Sequence, residues 1–118
     1  MKHSNFLAIL LFFVCATMAQ NPVIRHPFTA DPSIRRWSDG KFYIYGSHDK
    51  DNPVKWNMED YHVFSSDDMV TWKDHGVVLR NSQTPWSGPF WAPDCFEKNG
   101  RYYFYFPEGA HIGVADSD

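Results

Sequence analysis

Two carboxylates stand beside prolines in strings that echo each other some sixty residues apart: Ala30-Asp31-Pro32-Ser33-Ile34 and Trp91-Ala92-Pro93-Asp94-Cys95-Phe96. A pair of acidic side chains converging on an aromatic-lined opening is what cleavage of a glycosidic bond requires. One, ionised, activates water, and another, protonated, releases the leaving sugar. Against this stands a plainer reading, in which each aspartate caps a turn or begins a strand next to proline.

The elements around both aspartates match. Each is followed by an apolar run, a turn dipeptide (Asp39-Gly40, Asn99-Gly100) and a burst of aromatic residues (Phe42-Tyr43-Ile44-Tyr45; Tyr102-Tyr103-Phe104-Tyr105-Phe106). Such dipeptides between β-formers signal hairpins with two-residue turns. Strands are expected at Ser33 to Trp37, Lys41 to Ser47, Tyr61 to Ser66 and Trp72 to Leu79, making an up-and-down sheet. A second sheet is expected from Trp91 to Lys98, Arg101 to Pro107 and a third strand near Ile112. Aligning Gly40 with Gly100 gives a period of 60. Self-similarity on this scale points to a β-propeller, whose four-stranded blades surround a channel and bring the start of each first strand to one mouth.

Composition agrees with an all-β fold. Of 118 residues, 43% are hydrophobic, too many for disorder, and the 18% aromatic content suits both strand faces and sugar rings. Net charge is −3, and no basic run exceeds Arg35-Arg36, so neither nucleic acid nor an anionic membrane is an expected partner. His48-Asp49-Lys50-Asp51-Asn52-Pro53 is rich in oxygen donors but lacks the glycine and glutamate spacing of a calcium loop. His48 ends the strand after Asp31 and could face the same opening.

The first residues read as an export signal. Met1-Lys2-His3 is basic, Phe6 to Cys15 is unbroken and apolar, and Thr17 and Ala19 supply small residues for cleavage after Ala19. A membrane span would need about 20 apolar residues. The domains are therefore expected as 1–19, signal peptide, and 20–118, part of a propeller. The product would be exported to the periplasm or beyond, with no membrane association after cleavage. Without Lys2 the charge is −4, 10 Lys and Arg against 14 Asp and Glu. Cys15 leaves with the signal, so Cys95 cannot form an internal disulfide and is expected in the core.

Three ordered strings, Ala-Asp-Pro-Ser at 30–33, Ser-Ser-Asp-Asp-Met-Val-Thr-Trp at 65–72 and Trp-Ala-Pro-Asp at 91–94, resemble glycoside hydrolase family 43. The resemblance implies a five-bladed β-propeller that hydrolyses arabinose- or xylose-containing plant polysaccharides or oligosaccharides with inversion. About the first one and a half to two blades are expected here, the front part of a longer protein. By the resemblance, Asp31 matches the general base. Asp94 matches the carboxylate that raises the pKa of the general acid and orients it. The acid itself is a glutamate of a later blade, which neither Glu97 nor Glu108 matches, so this segment alone is expected to be inactive. Trp91, Phe28 and His48 are the candidate sugar contacts. No cofactor is required, and a structural calcium in the channel of the full-length protein would rest on a histidine outside this segment. The competing classes are a non-catalytic glycan-binding propeller and an inactive remnant.

Overall fold

The computed structural model describes residues 22–50 and 57–117, and over them the chain forms two antiparallel sheets. The first contains β1 (Thr29–Arg36), β2 (Phe42–Asp49), β3 (Met58–Ser66) and β4 (Lys73–Arg80), paired in sequence order. A single 3₁₀ turn, Asn81–Gln83, leads out of it. The second contains β5 (Asp94–Lys98), β6 (Arg101–Glu108) and β7 (His111–Ser117). No α-helix occurs among the described residues. The expected signal peptide and the polar loop from Asp51 onward lie outside them.

The two hairpin turns differ although their dipeptides look alike. Lys98 pairs with Arg101, so Asn99 (φ 54°) and Gly100 (φ 76°) form the expected two-residue turn with both residues left-handed. The first turn is longer by one residue than expected. Gly40 N–H donates to the Trp37 carbonyl at 2.9 Å and Trp37 N–H to the Lys41 carbonyl at 3.2 Å, which makes a three-residue loop with only Gly40 left-handed (φ 82°). The Asp39 carboxylate closes that loop by accepting from Lys41 N–H at 2.9 Å and from the Tyr43 hydroxyl at 2.8 Å. Those bonds hold its carboxyl below the usual range.

Both first strands begin elsewhere than the pattern suggests. β1 starts at Thr29, ahead of Asp31-Pro32, because a bulge between Ala30 and Ser33 lets the strand run past a proline that cannot donate. β5 starts at Asp94 and not at Trp91. Phe90 N–H donates to Met58 O at 2.8 Å and Trp91 N–H to Pro107 O at 3.1 Å, so this stretch is committed to β3 and the end of β6.

The core lies between the sheets. Met58, Tyr61, Phe90 and Phe106 are buried there, flanked by Leu79, Trp91 and Phe104. Tyr61 stacks on Phe90 with centroids 4.3 Å apart and meets the Phe104 ring edge-on at 5.2 Å. Such pairs contribute about 0.5–1.5 kcal/mol each beyond their buried area. The Tyr61 hydroxyl lies 2.9 Å from Trp91 O and 3.0 Å from Pro107 O, tying the first sheet to two backbone positions around the second. Cys95 is buried as expected, and burial pushes its thiol up, away from the reactive thiolate.

The edge strands β1 and β5 pack beside each other. Arg35 pairs with Asp94, Glu97 accepts from Ser38 N–H at 3.2 Å and from Ser38 Oγ at 2.8 Å, and Trp37 meets Tyr102 edge-on at 5.7 Å. Alternation puts Glu97 on the face of β5 that holds buried Cys95, and there it faces the first hairpin.

Candidate active site

Antiparallel order sends the start of β1, the end of β2, the start of β3, the end of β4 and the start of β5 to one end of the molecule. Asp31 and Asp94 therefore share that end, from adjacent strands of different sheets. Asp31 is exposed, in the β1 bulge, with φ at 47°. A non-glycine residue there costs on the order of 1–3 kcal/mol, and such strain persists only where the surrounding structure over-determines it. The bulge turns the carboxylate out of the ladder towards solvent.

Asp94 is held instead. Its carboxylate accepts from the Arg35 guanidinium, and Oδ1 accepts from Cys95 N–H at 2.8 Å. Burial pushes the Asp94 carboxyl up, but Arg35 and the Cys95 amide more than offset this, leaving it below the ordinary carboxylate value. Asp94 thus stays anionic near neutrality and fixed in direction. Arg35 escaped the sequence reading, which met it only as half of the longest basic pair. No local signal marks it, because the bulge between Ala30 and Ser33 breaks the alternation that would relate it to Asp31.

The three candidate sugar contacts lie at the same end in different states. Trp91 is half-buried, its indole N–H donating to Gly109 O at 3.2 Å, so its ring is anchored to the β6–β7 turn. Phe28 is 57% exposed, edge-on to His26 at 6.1 Å, and its carbonyl accepts from Asp49 N–H at 2.9 Å. His48 sits opposite Thr29 in the ladder, and its Nδ1 is 2.7 Å from Asp60 Oδ1. From sequence His62 reads only as a member of the third strand, Tyr61 to Ser66, and Asp60, one residue ahead of that strand, is not singled out.

Neither glutamate after Asp94 is free to act as a proton donor beside Asp31. Glu97 is bound to Ser38, and Glu108 is fully buried as the last residue of β6, where Oε1 accepts from Gly88 N–H at 3.2 Å. A calcium ion does not fit the described residues at this mouth either. Their one cluster of three potential ligands is His48, Asp60 and His62, and two imidazoles are not a donor set for a hard cation.

Comparison with known proteins decides the family. The sequence model of glycosyl hydrolases family 43 matches residues 19–118. This chain belongs to glycosyl hydrolase family 43. The family 43 chain is 47% identical over 115 residues to xylosidase/arabinosidase 43A of Humicola insolens, covering 82% of the chain and 34% of that relative. It is 45% identical over 106 residues to a xylosidase/arabinosidase of Bacteroides ovatus, covering 77% and 32%. Among solved structures, the GH43_1 enzyme from Xanthomonas citri complexed with xylotriose superposes with a TM-score of 0.73 at 40% identity, over 82% of this chain and 30% of that one. An α-L-arabinofuranosidase from Clostridium thermocellum superposes with a TM-score of 0.63 at 37% identity, over 82% and 33%. The family 43 chain thus spans about a third of the length of the relatives it matches. Its two sheets are part of the expected β-propeller, the first a complete four-stranded blade.

Proposed function

We propose that the protein carrying this segment is an exported, inverting glycoside hydrolase acting on arabinose- or xylose-containing polysaccharides or oligosaccharides. The observation that carries the reading is the joint placement of an exposed, strained Asp31 and an Arg35-held Asp94 at one end of adjacent strands in a family 43 fold. Relatives named for xylosidase and arabinosidase activity support the substrate class.

In this reading Asp31 takes a proton from water as the oxygen adds to the anomeric carbon, and the glycosidic oxygen leaves with a proton from a general acid outside residues 22–117. The fixed negative charge of Asp94 holds that acid protonated near neutrality by raising its pKa. Trp91 and Phe28 offer apolar faces to sugar rings, and His48 borders the opening. The basic start and the apolar stretch from Phe6 to Cys15 support export, and the family match starts only at residue 19.

The test is Asp31→Asn in the complete protein, assayed on aryl xylosides and arabinofuranosides beside calorimetric binding of xylotriose. Turnover lost with affinity retained is the expected result. Binding with no turnover in the wild type would instead make the protein a glycan-binding propeller, and neither binding nor turnover an inactive remnant. Export predicts that the secreted product begins at Gln20.

A further inference from the structure

We propose that His48, Asp60 and His62 form a binding site for a zinc-type transition-metal ion on the first sheet. His48 lies on β2, and Asp60 and His62 lie two residues apart on β3, so alternation turns all three to one face. Gly46, directly opposite His62 in the ladder, has no side chain to separate the two rings, which meet edge-on with centroids 5.0 Å apart. The side chains of Asp60 and His62 are only 11% and 12% exposed, and that of His48 is 26% exposed.

The protons on these groups leave a gap suited to a cation. Asp60 Oδ1 lies 2.7 Å from His48 Nδ1, so the imidazole must donate there. Asp74 Oδ1 lies 3.2 Å from His62 Nδ1, so that nitrogen also carries a proton. The other ring nitrogen, Nε2, faces the Asp60 carboxylate 3.9 Å away. Two electron-pair donors face each other across a space that a positive charge would fill.

Zinc fits that space by chemistry and by size. Imidazole and carboxylate are its ordinary nitrogen and oxygen ligands, and donors about 2.0–2.1 Å from a tetrahedral ion stand about 3.3 Å apart. The observed separations of 2.7 and 3.9 Å bracket that value, and ligand atoms of the three residues all lie within 4.8 Å of one another. Asp74 supplies the carboxylate that orients a metal-bound histidine through its second nitrogen. Arg80 Nη1 holds the other Asp60 oxygen at 3.0 Å and leaves Oδ1 for the ion. Coordination through His48 Nδ1 moves the proton of that nitrogen to Nε2, which keeps the ring a neutral imidazole ligand, and water completes the fourth position.

The experiment is calorimetric titration of the chelator-treated protein with zinc chloride, with cobalt(II) absorption as a report of geometry. One equivalent is expected to bind with micromolar or tighter affinity and a tetrahedral cobalt spectrum. His62→Ala and His62→Gln are each expected to weaken binding by about 100-fold or more. Asp74→Asn, exposed and outside the ligand set, is expected to weaken it about 10-fold with Tm unchanged. Absence of saturable binding below millimolar zinc would overturn the proposal. Zinc affinity unaltered in both His62 variants would overturn it equally, by placing the ion elsewhere.

Discussion

Asp31 lies near the start of β1 and Asp94 at the start of β5, edge strands that pack beside each other, but the first precedes its proline and the second follows it. In the first sheet the proline falls inside the strand, the ladder bulges around it, and Asp31 is left exposed at φ 47°. In the second, Pro93 ends the incoming loop, β5 starts regularly, and Asp94 turns to Arg35 of the other sheet. One order of two residues presents a carboxylate to solvent, and the reverse order ties it down. The same composition thus serves two electrostatic roles.

The largest expected effect separates those roles. Asp31→Asn should lower kcat by about 10²–10⁴ at every pH, as removal of a general base does. Asp94→Asn should lower kcat with a change of profile. Loss of its negative charge lowers the pKa of the general acid, so the alkaline limb of kcat moves to lower pH. Equal losses with unchanged profiles would erase the distinction between the two aspartates.

Next comes packing. A Cβ on Gly113 in β7 would stand 2.2 Å from the Phe106 ring, whereas one on Gly46 in β2 would meet Thr29 Cβ at 3.3 Å. Gly113→Ala should therefore cost about 1–3 kcal/mol in urea unfolding, and Gly46→Ala under about 1 kcal/mol. The turns should behave alike despite their different lengths. Gly40→Ala and Gly100→Ala meet no neighbour within 4 Å but keep φ of 82° and 76°, so each should cost about 1 kcal/mol from backbone conformation alone.

The smallest effect concerns the tie itself. The Asp94 carboxyl is depressed in the folded protein, so its contribution is present above the ordinary carboxylate range and is lost as pH falls through the folded value. Arg35→Met should lower stability at pH 7 and converge with the wild type in strong acid. With Asp94 46% exposed, solvent screening keeps the difference under about 1 kcal/mol.

Much of this was legible because strands declare themselves locally. The aromatic bursts after Gly40 and Gly100 located β2 and β6, and the period of sixty located the second sheet. Misplaced features were those decided by partners distant in sequence. Trp91 reads as strand until Pro107 takes its N–H, and nothing near Glu97 in the sequence announces Ser38 as its partner. Arg35 carries no local mark of facing Asp94, and the His48–Asp60–His62 cluster depends on the cross-strand register of β2 and β3.

The 59-residue separation between Arg35 and Asp94 bears on the order of assembly. Each sheet is a meander of neighbouring hairpins, whereas Arg35 reaches Asp94 only after the sheets dock. The mouth is therefore the last part of the chain to form and the first to come apart. During gentle denaturation the Arg35–Asp94 tie should dissolve while most strand content persists, so this end of the molecule has a narrower thermal range than the sheets that carry it.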